Sequence, residues 1–218
     1  DKSEYDVVGT YFSKQKDLAG EIFFDYKNDY PPQEIIDSEV MFFNLTPSII
    51  SNTSSLGDFL KRCRPKKLIF ISSTSVYGYQ GIVDEDSPLE PESKSGELLK
   101  NCESLVSEYN SLIIRPAGLY GESFHPGQYL SGKTLSYDGL NSVNLISLDD
   151  LASLIFMSLE SDLKLLNAVN KHHPLKKEYY INYCKRENID PPEFLEKNIG
   201  EKLVKTKHEK FVVHTKLP

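Results

Sequence analysis

Four consecutive hydroxyl side chains, Ser72, Ser73, Thr74 and Ser75, are the residues of this sequence best suited to chemistry. A hydroxyl holds a substrate oxygen through a hydrogen bond, and it becomes a nucleophile only beside a base. The four follow an unbroken apolar run at residues 68–71, which is typical of a strand buried on both faces of a parallel sheet. Because open α/β sheets bind ligands at the carboxyl ends of their strands, the pattern indicates either a ligand site or an ordinary polar loop.

Three ordered segments carry a resemblance to a known family. They read Ile-Ser-Ser-Thr-Ser-Val-Tyr-Gly at residues 71–78, Asp-Glu-Asp-Ser-Pro-Leu-Glu-Pro at 84–91 and Ile-Arg-Pro-Ala-Gly-Leu-Tyr-Gly at 114–121. Together they resemble the nucleotide-sugar epimerase/dehydratase branch of the short-chain dehydrogenase/reductase superfamily. The resemblance implies an NAD(P)-dependent oxidoreductase or epimerase-like protein that acts on a nucleotide-sugar-type substrate.

The same resemblance implies the fold. We expect an α/β protein with a Rossmann-like, doubly wound parallel sheet and a small C-terminal lobe on the substrate side. The alternation of strand-like and helix-like segments agrees with this class. We expect one NAD(P)-binding domain over residues 1–218, with its core at about 1–120 and 142–170. The segments at about 121–141 and 171–218 would lie on the substrate side.

Two residues are predicted to act on the substrate. In the family the second serine of the pair, here Ser73, hydrogen-bonds the substrate oxygen. Tyr77 follows in the same loop and is predicted as a surrogate proton donor or acceptor, with a packing role as the alternative. The resemblance places the cofactor against a further set of residues, which are Thr10, Ser13, Asp25, Thr46, Pro47, Ser72, Pro116 and Gly118.

The family's catalytic pair, Tyr-x-x-x-Lys, is missing from the helix that should carry it. Aligning that helix on Pro91 and Glu103 puts Ser95 at the tyrosine position and Leu99 at the lysine position. A serine ionises far less readily than a tyrosine, whose ordinary pKa is about 10, and no histidine lies near Ser95 in sequence to serve as its base. The Tyr-x-x-x-Lys at residues 129–133 lies beyond the next strand, so we interpret it as a coincidence.

The sequence begins at what resembles the second strand of the family, at residues 6–10. Neither an earlier strand nor a Gly-x-x-Gly-x-x-Gly turn for the cofactor pyrophosphate occurs in the 218 residues. We therefore expect a unit of about 30 residues upstream of Asp1. An acidic residue at the end of this strand would favour NAD, whereas basic residues favour NADP. Ser13, Lys14 and Lys16 favour NADP, although a solvated loop explains the two lysines equally well.

The composition limits the classes of partner. A content of 39% hydrophobic and 26% charged residues is typical of one soluble domain. The net charge of −7 and the pI near 5.3 argue against nucleic acid or an anionic membrane as the main partner. No apolar segment reaches the roughly 20 residues of a membrane helix. The lysine-rich tail after residue 192 also contains glutamates, which predicts a solvated face.

The cysteines and histidines indicate no metal site. Three widely spaced cysteines without a Cys-x-x-Cys pair indicate reduced thiols in a cytoplasmic protein, with neither a disulfide framework nor a zinc site. The adjacent His172 and His173 have no partner at ligand spacing, so a surface loop is the better interpretation.

Two functional hypotheses remain open on the sequence. One is an enzyme that binds NAD or NADP and a small-molecule substrate, with a homodimer as an option for its assembly. The other is a catalytically silent NAD(P)-binding or regulatory protein of the same fold. Ser95 and Leu99 favour the silent protein, whereas the hydroxyl run and the long segment at 121–141 favour the enzyme.

Overall fold

The computed structural model of the chain describes residues 6–11, 21–137 and 139–218. Within these residues the strands are β1 (Gly9–Tyr11), β2 (Glu21–Phe23), β3 (Val40–Phe43), β4 (Lys67–Ile71), β5 (Gly81–Val83), β6 (Ser111–Pro116), β7 (Gly118–Tyr120), β8 (Thr134–Leu135), β9 (Leu145–Ser147), β10 (Leu165–Ala168), β11 (Glu193–Phe194) and β12 (Lys202–Val204). The helices are α1 (Gln33–Ile36), α2 (Pro47–Ile50), α3 (Thr53–Cys63), α4 (Lys94–Val106), α5 (Pro126–Leu130), α6 (Leu148–Leu159) and α7 (Lys176–Arg186). Two short 3-10 helices cover Thr74–Val76 and Glu209–Phe211.

A central sheet of four parallel strands, in the order β10-β6-β4-β3, organises the fold. Its two middle strands are deeply buried, since Leu68, Phe70, Leu112 and Ile114 are all inaccessible to solvent. Burial on both faces explains why continuous apolar runs mark β4 and β6 in the sequence. Because the four strands are parallel, their carboxyl ends meet along one side of the sheet, which we call the carboxyl edge.

The predicted α/β fold with a parallel sheet is confirmed, and the sheet is divided into two parts. β1 and β2 form a separate parallel pair in which Gly9 lies opposite Glu21. β3 lies at the end of the central sheet, where Met41 and Phe43 are buried while Val40 and Phe42 are exposed. Among the described residues no strand joins the pair to the central sheet.

Helix α3 packs its apolar side against the sheet and begins and ends at clear signals. The Asn52 side chain accepts the N–H of Ser55 at 3.0 Å and so caps its first turn. The helix ends at Arg64, whose φ of 48° is left-handed. The buried face of the helix carries Phe59, which joins an aromatic cluster with Phe24, Tyr26, Phe43 and Phe70.

A second, smaller core lies outside the central sheet. It contains Tyr120, Val143, Leu145, Tyr179 and Tyr180, and it is separate from the main core. The strands β7 and β9 pair in parallel beside it, and α5 packs on α7. We call this part of the chain the C-terminal lobe.

The C-terminal tail does not form the solvated face that its composition predicted. β12 pairs in parallel with β5, and Val204, Phe211 and Val213 are buried in the main core. The buried carboxylate of Glu85 fixes the tail, because it accepts the Thr206 hydroxyl at 2.6 Å and the Lys207 N–H at 2.9 Å. This segment has no periodic apolar residues, and charged residues separate the buried ones. Its packing could therefore not be predicted from the sequence.

Several predicted elements have the predicted bounds to within a residue or two. The helix predicted to run to Leu159 is α6, and Ser147 caps it by accepting the Asp150 N–H at 3.0 Å. The helix predicted at 176–186 is α7. No helix in the described part of the chain combines the length and the apolar character that crossing a bilayer requires.

Candidate functional site at the carboxyl edge

The hydroxyl loop, residues 72–75, lies at the carboxyl edge directly after β4. The Ser73 Oγ accepts the N–H of Ser75 at 3.1 Å, and this bond caps the short helix Thr74–Val76. The Ser73 side chain is half-buried, and no described residue accepts its hydroxyl hydrogen. A serine in this position can donate a hydrogen bond to a ligand at the edge of the sheet.

A polar network runs beneath the hydroxyl loop, and we call it the Glu103–Arg115 network. The Arg115 guanidinium donates to both oxygens of Glu103, with a closest distance of 2.6 Å, and to the Tyr77 hydroxyl at 2.5 Å. Ser72 donates to Glu103 at 2.5 Å, and Tyr77 donates to Asn167 Oδ1 at 2.9 Å. All five side chains are buried, and every buried charge among them has a partner of opposite charge or a hydrogen bond.

The network determines what Tyr77 can do. Burial raises the pKa of the Tyr77 hydroxyl, and the charge of Arg115 opposes this without cancelling it. Burial acts to lower the pKa of Arg115, but the hydrogen bond and charge of Glu103 raise it overall. Tyr77 is therefore neutral near pH 7, with its hydroxyl bonded inside the protein. These contacts favour the packing role over the predicted role in proton transfer.

Ser72 also points into the protein, although it was predicted to contact the cofactor. Its side chain is 7% exposed, and its hydroxyl is bonded to Glu103. Its N–H donates to the Ile114 carbonyl at 2.8 Å, which continues the pairing of β4 with β6. The two serines of the motif thus have different positions, since Ser72 joins the sheet to the network and Ser73 lies at the carboxyl edge.

Helix α4 brings the position of the missing catalytic tyrosine beside the hydroxyl loop. A Cβ added to Gly96 would lie 2.5 Å from the Ser75 carbonyl oxygen, so only glycine allows this approach. Ser95 is exposed in the same first turn, and Ser93 caps the helix by accepting the Gly96 N–H at 3.1 Å. Leu99 is 3% exposed and belongs to the main core. The structure therefore offers no cation at the position of the family's lysine.

Thr46, Pro47, Pro116 and Gly118 lie at or beyond the carboxyl ends of β3 and β6, the two strands that flank β4. Thr46 is exposed and Pro47 opens α2, a few residues after β3 ends at Phe43. Pro116 ends β6 and is buried, whereas Gly118 is exposed. A Cβ on Gly118 would lie 2.8 Å from the Leu145 side chain and 3.1 Å from the Asn144 carbonyl oxygen, so a larger residue would crowd the packing against β9. Their contacts with a cofactor remain predictions.

Two other predicted cofactor contacts, Thr10 and Asp25, lie on or next to the β1–β2 pair. Thr10 is exposed on β1. Asp25 follows β2, where its carboxylate accepts the Lys27 N–H at 3.0 Å and the Asn28 side chain at 2.6 Å. Ser13 lies outside the described residues. The structure thus places Thr10 and Asp25 on the separate strand pair.

The described residues meet part of what a dinucleotide needs. At the carboxyl edge, Ser73 offers a free hydroxyl donor, Thr46 offers an exposed hydroxyl, and Gly118 offers exposed backbone. These groups fit the nicotinamide end of such a cofactor. The 218 residues contain no Gly-x-x-Gly-x-x-Gly turn for the pyrophosphate. In the described part of the chain, no cluster of three or more His, Cys, Asp or Glu side chains could hold a metal ion.

The sequence predicted no role for His125, a histidine in the C-terminal lobe. His125 is 6% exposed, caps α5 by accepting the Gly127 N–H at 3.0 Å, and lies 3.0 Å from the Tyr179 hydroxyl through Nε2. Its ring stacks on Tyr183 with centroids 3.8 Å apart. Burial, with a contribution from the Arg186 charge, lowers its pKa to about 4. His125 is therefore a neutral structural residue near pH 7.

The sequence predicted no role for Lys202, which contacts the hydroxyl loop, or for Lys176, whose charge acts on Lys202. Lys202 donates to the carbonyl oxygens of Thr74 and Tyr77, at 3.4 and 3.2 Å. Lys176 opens α7, and its charge contributes to lowering the pKa of Lys202. In the sequence both lysines stand among other lysines, and the pairing of β12 with β5 that brings Lys202 to the loop leaves no local signal.

Comparison with known proteins gives a partial match to a curated protein. No family model matches the chain. Protein YeeZ of Escherichia coli strain K12 is 35% identical over 137 residues, which cover 60% of this chain and 50% of that protein. Protein YeeZ of Escherichia coli O157:H7 matches equally well. The chain thus spans about half the length of the curated relatives it matches.

Solved structures match over most of the chain. MoeE5 in complex with UDP-glucose and NAD has a TM-score of 0.72 and 16% identity, covering 90% of this chain and 81% of that chain. UDP-glucuronic acid 4-epimerase from Bacillus cereus, in complex with NAD, has a TM-score of 0.70 and 20% identity, covering 88% and 72%. UDP-N-acetylglucosamine 4-epimerase from Methanobrevibacter ruminantium M1 has a TM-score of 0.66 and 17% identity, covering 87% and 75%. The chain thus has the Rossmann-like α/β fold of these solved structures, which is the fold that the sequence predicted.

Proposed function

We propose that the protein binds NAD or NADP at the carboxyl edge and uses it to oxidise and reduce a nucleotide-sugar-type substrate. The observation that carries this proposal is the Ser73 hydroxyl, which lies at the end of β4 with its hydrogen free to donate. Structures of the same fold that hold NAD and UDP-glucose support the choice of ligands.

In this proposal the bound nicotinamide supplies the hydride chemistry, and the chain holds the substrate. Ser73 donates a hydrogen bond to the substrate oxygen whose charge changes during the reaction. The bond from Ser75 N–H to Ser73 Oγ fixes this donor before the substrate arrives, so little reorganisation is needed in the reaction. Tyr77 could exchange a proton with the substrate only after its bonds to Arg115 and Asn167 had broken.

The second candidate function is a catalytically silent protein that binds NAD or NADP. Leu99 favours it, because a buried leucine stands where the family has the lysine that lowers the pKa of its catalytic tyrosine. Ser95, at the position of that tyrosine, is exposed and has no histidine near it in the sequence. This candidate predicts binding of the cofactor without transfer of hydride.

Binding and turnover measurements separate the two candidates. The purified protein, expressed with any residues that precede Asp1, is titrated with NADH and NADPH by fluorescence. A panel of sugar nucleotides is then screened for hydride exchange with the bound nicotinamide. Binding with exchange supports the enzyme, and binding without exchange supports the silent protein. Failure to bind either nucleotide would overturn both candidates.

The contribution of Ser73 can be tested by one variant and its neighbour. We expect Ser73→Ala to lower turnover by about 10²- to 10³-fold, the cost of removing one donor to a developing charge. Nicotinamide affinity should change less than about twofold, and Ser75→Ala should leave turnover unchanged. Equal turnover in Ser73→Ala and the wild-type protein would exclude this role for Ser73.

The proposal also includes a cytoplasmic location and leaves a homodimer open. The three cysteines support the location, because all of them are buried and unpaired. Fractionation of cells that produce the protein tests the location, and size-exclusion chromatography with light scattering tests the homodimer.

A further inference from the structure

Lys176 and Lys202 come from two segments that Asn141 joins, and the Lys202 ammonium lies at the hydroxyl loop of a protein with net charge −7. The charge of Lys176 contributes to lowering the pKa of Lys202. The Lys202 Nζ donates to two backbone carbonyls of the segment 74–77, and one of its three hydrogens has no described acceptor. Lys176 Nζ has no hydrogen-bond acceptor among the described residues. Neither ammonium has a described carboxylate within the distance of an ion pair.

The surroundings of the two lysines are aromatic. The Lys176 ammonium lies 5.3 Å from the centre of the Tyr137 ring, and the Lys202 ammonium lies 5.5 Å from that of Tyr79. Both lysines are half-buried, so water neutralises their charge only in part. Burial lowers the pKa of both lysines, and the charge of Lys176 adds to this at Lys202. The charges of Glu201 at Lys176 and of Glu92 at Lys202 oppose the lowering without cancelling it. Two partly buried like charges without a salt bridge are costly.

The chain holds the two lysines in this arrangement through Asn141. The Asn141 carbonyl accepts the N–H of Lys176 at 3.0 Å, and its side-chain amide donates to the Gly200 carbonyl at 3.3 Å. Asn141 is 4% exposed, and its Oδ1 has no partner among the described residues. Glu201 accepts the Ser142 N–H at 3.1 Å and so ties the same two segments together.

We infer that Lys176 and Lys202 form a binding site for a phosphate group of a small-molecule ligand, beside the hydroxyl loop. A phosphate would neutralise both ammonium groups at once and accept the hydrogens that lack described acceptors, and lysine is a common point-charge ligand for phosphate. Tyr79 and Tyr137 would flank the ligand through their rings. The inference deepens the proposed function and rests on it in one respect, which is that the phosphate belongs to the substrate.

The test compares UDP with uridine as probes, because the two differ only in the diphosphate. Affinities are measured by calorimetry for the wild-type protein and for Lys176→Met and Lys202→Met. We expect UDP to bind at least tenfold more tightly than uridine, and each variant to weaken UDP at least tenfold while changing uridine less than twofold. Lys177→Met and Lys205→Met are matched controls, since both lysines are exposed neighbours, and they should leave UDP affinity within twofold.

Further measurements keep the test informative if a variant is poorly folded. Lys176→Arg and Lys202→Arg retain the charge and should keep UDP affinity within about fivefold. The inference is overturned if wild-type protein binds UDP no more tightly than uridine, or if the methionine variants bind UDP as the controls do. NADH titrations of the same samples separate this result from the proposed function. Lysine-dependent UDP binding without NADH binding upholds the phosphate site alone, and the converse upholds cofactor binding alone.

Discussion

The Glu103–Arg115 network and the pair Lys176–Lys202 both place charged side chains in low-solvent surroundings beside the same loop. They differ in how those charges are balanced. In the network the Arg115 guanidinium is balanced by Glu103 and hydrogen-bonded to Tyr77. In the lysine pair two like charges come from segments joined by backbone contacts and form no ion pair with a described carboxylate. A charge that the fold itself satisfies belongs to the scaffold, whereas one that the fold leaves unsatisfied can be satisfied by a ligand.

The largest effect should follow from breaking the network. We expect Glu103→Ala to lower the free energy of unfolding by about 3–5 kcal/mol, because it leaves the Arg115 charge buried without its partner. Urea unfolding followed by circular dichroism measures this loss. The double variant Glu103→Ala with Arg115→Met should recover part of it, since no unpaired charge remains. A loss below about 1 kcal/mol in the single variant would mean that water satisfies Arg115.

The next effect concerns His125, a buried group that the fold keeps neutral rather than paired. Its folded-state pKa of about 4 lies below the ordinary value of about 6.5, so the unfolded chain takes up a proton first as the pH falls. The stability that this group contributes is complete above pH 6.5 and is lost between about 6.5 and 4, by about 2 kcal/mol at pH 5. Urea unfolding at several pH values measures how steeply the free energy of unfolding depends on pH.

His125→Asn is the control for this pH dependence, because asparagine can still cap α5 without titrating. The variant should be less stable overall, since it loses the stacking on Tyr183. Its stability should nevertheless depend less on pH between 4 and 6.5 than that of the wild-type protein. Identical slopes in the two proteins would assign the pH dependence to other groups, such as the carboxylates.

A smaller effect should follow from removing the Tyr77 hydroxyl. We expect Tyr77→Phe to lower stability by about 1–2 kcal/mol, since Arg115 and Asn167 each lose one hydrogen bond while the ring stays buried. Turnover, if present, should fall less than about threefold. A large loss of turnover at unchanged stability would restore Tyr77 to the role of proton donor or acceptor that the sequence predicted.

The smallest effect is expected at the lysine pair. In the absence of ligand, Lys176→Met should change stability by less than about 0.5 kcal/mol or increase it slightly, because it removes a half-buried charge that has no salt bridge. Thermal unfolding without and with UDP measures both states. A clear loss of stability without ligand would show that Lys176 serves the scaffold, which would remove the contrast with the network.

The sequence predicted the central part of the fold because its signals there are local. Burial on both faces of β4 produces an apolar run, and Ser147 caps α6 by accepting the N–H of a residue only three positions later in the sequence. Ser73 could be placed at the carboxyl edge because a strand and its end can be recognised together. The arrangement of these elements relative to one another came from the resemblance to the family, because no single segment of the sequence specifies it.

The sequence did not predict the features that depend on distant pairing. β12 has three residues, and its pairing with β5 positions Lys202 by contacts with a segment far away in the chain. The network was also concealed, because Glu103 lies on a helix where a charged residue ordinarily faces water. Glu103 is buried only because Arg115 lies beside it, and Arg115 belongs to a strand in which the residues on either side of it are apolar.

The pairing of β12 with β5 has a consequence for the order of folding. The bond from Lys202 to the Thr74 carbonyl joins residues 128 positions apart, and closing so long a loop is entropically costly and slow. During synthesis the central sheet, the hydroxyl loop and Ser73 emerge well before residue 202. We therefore expect the nascent protein to build its carboxyl edge first and to acquire the Lys202 charge beside it last.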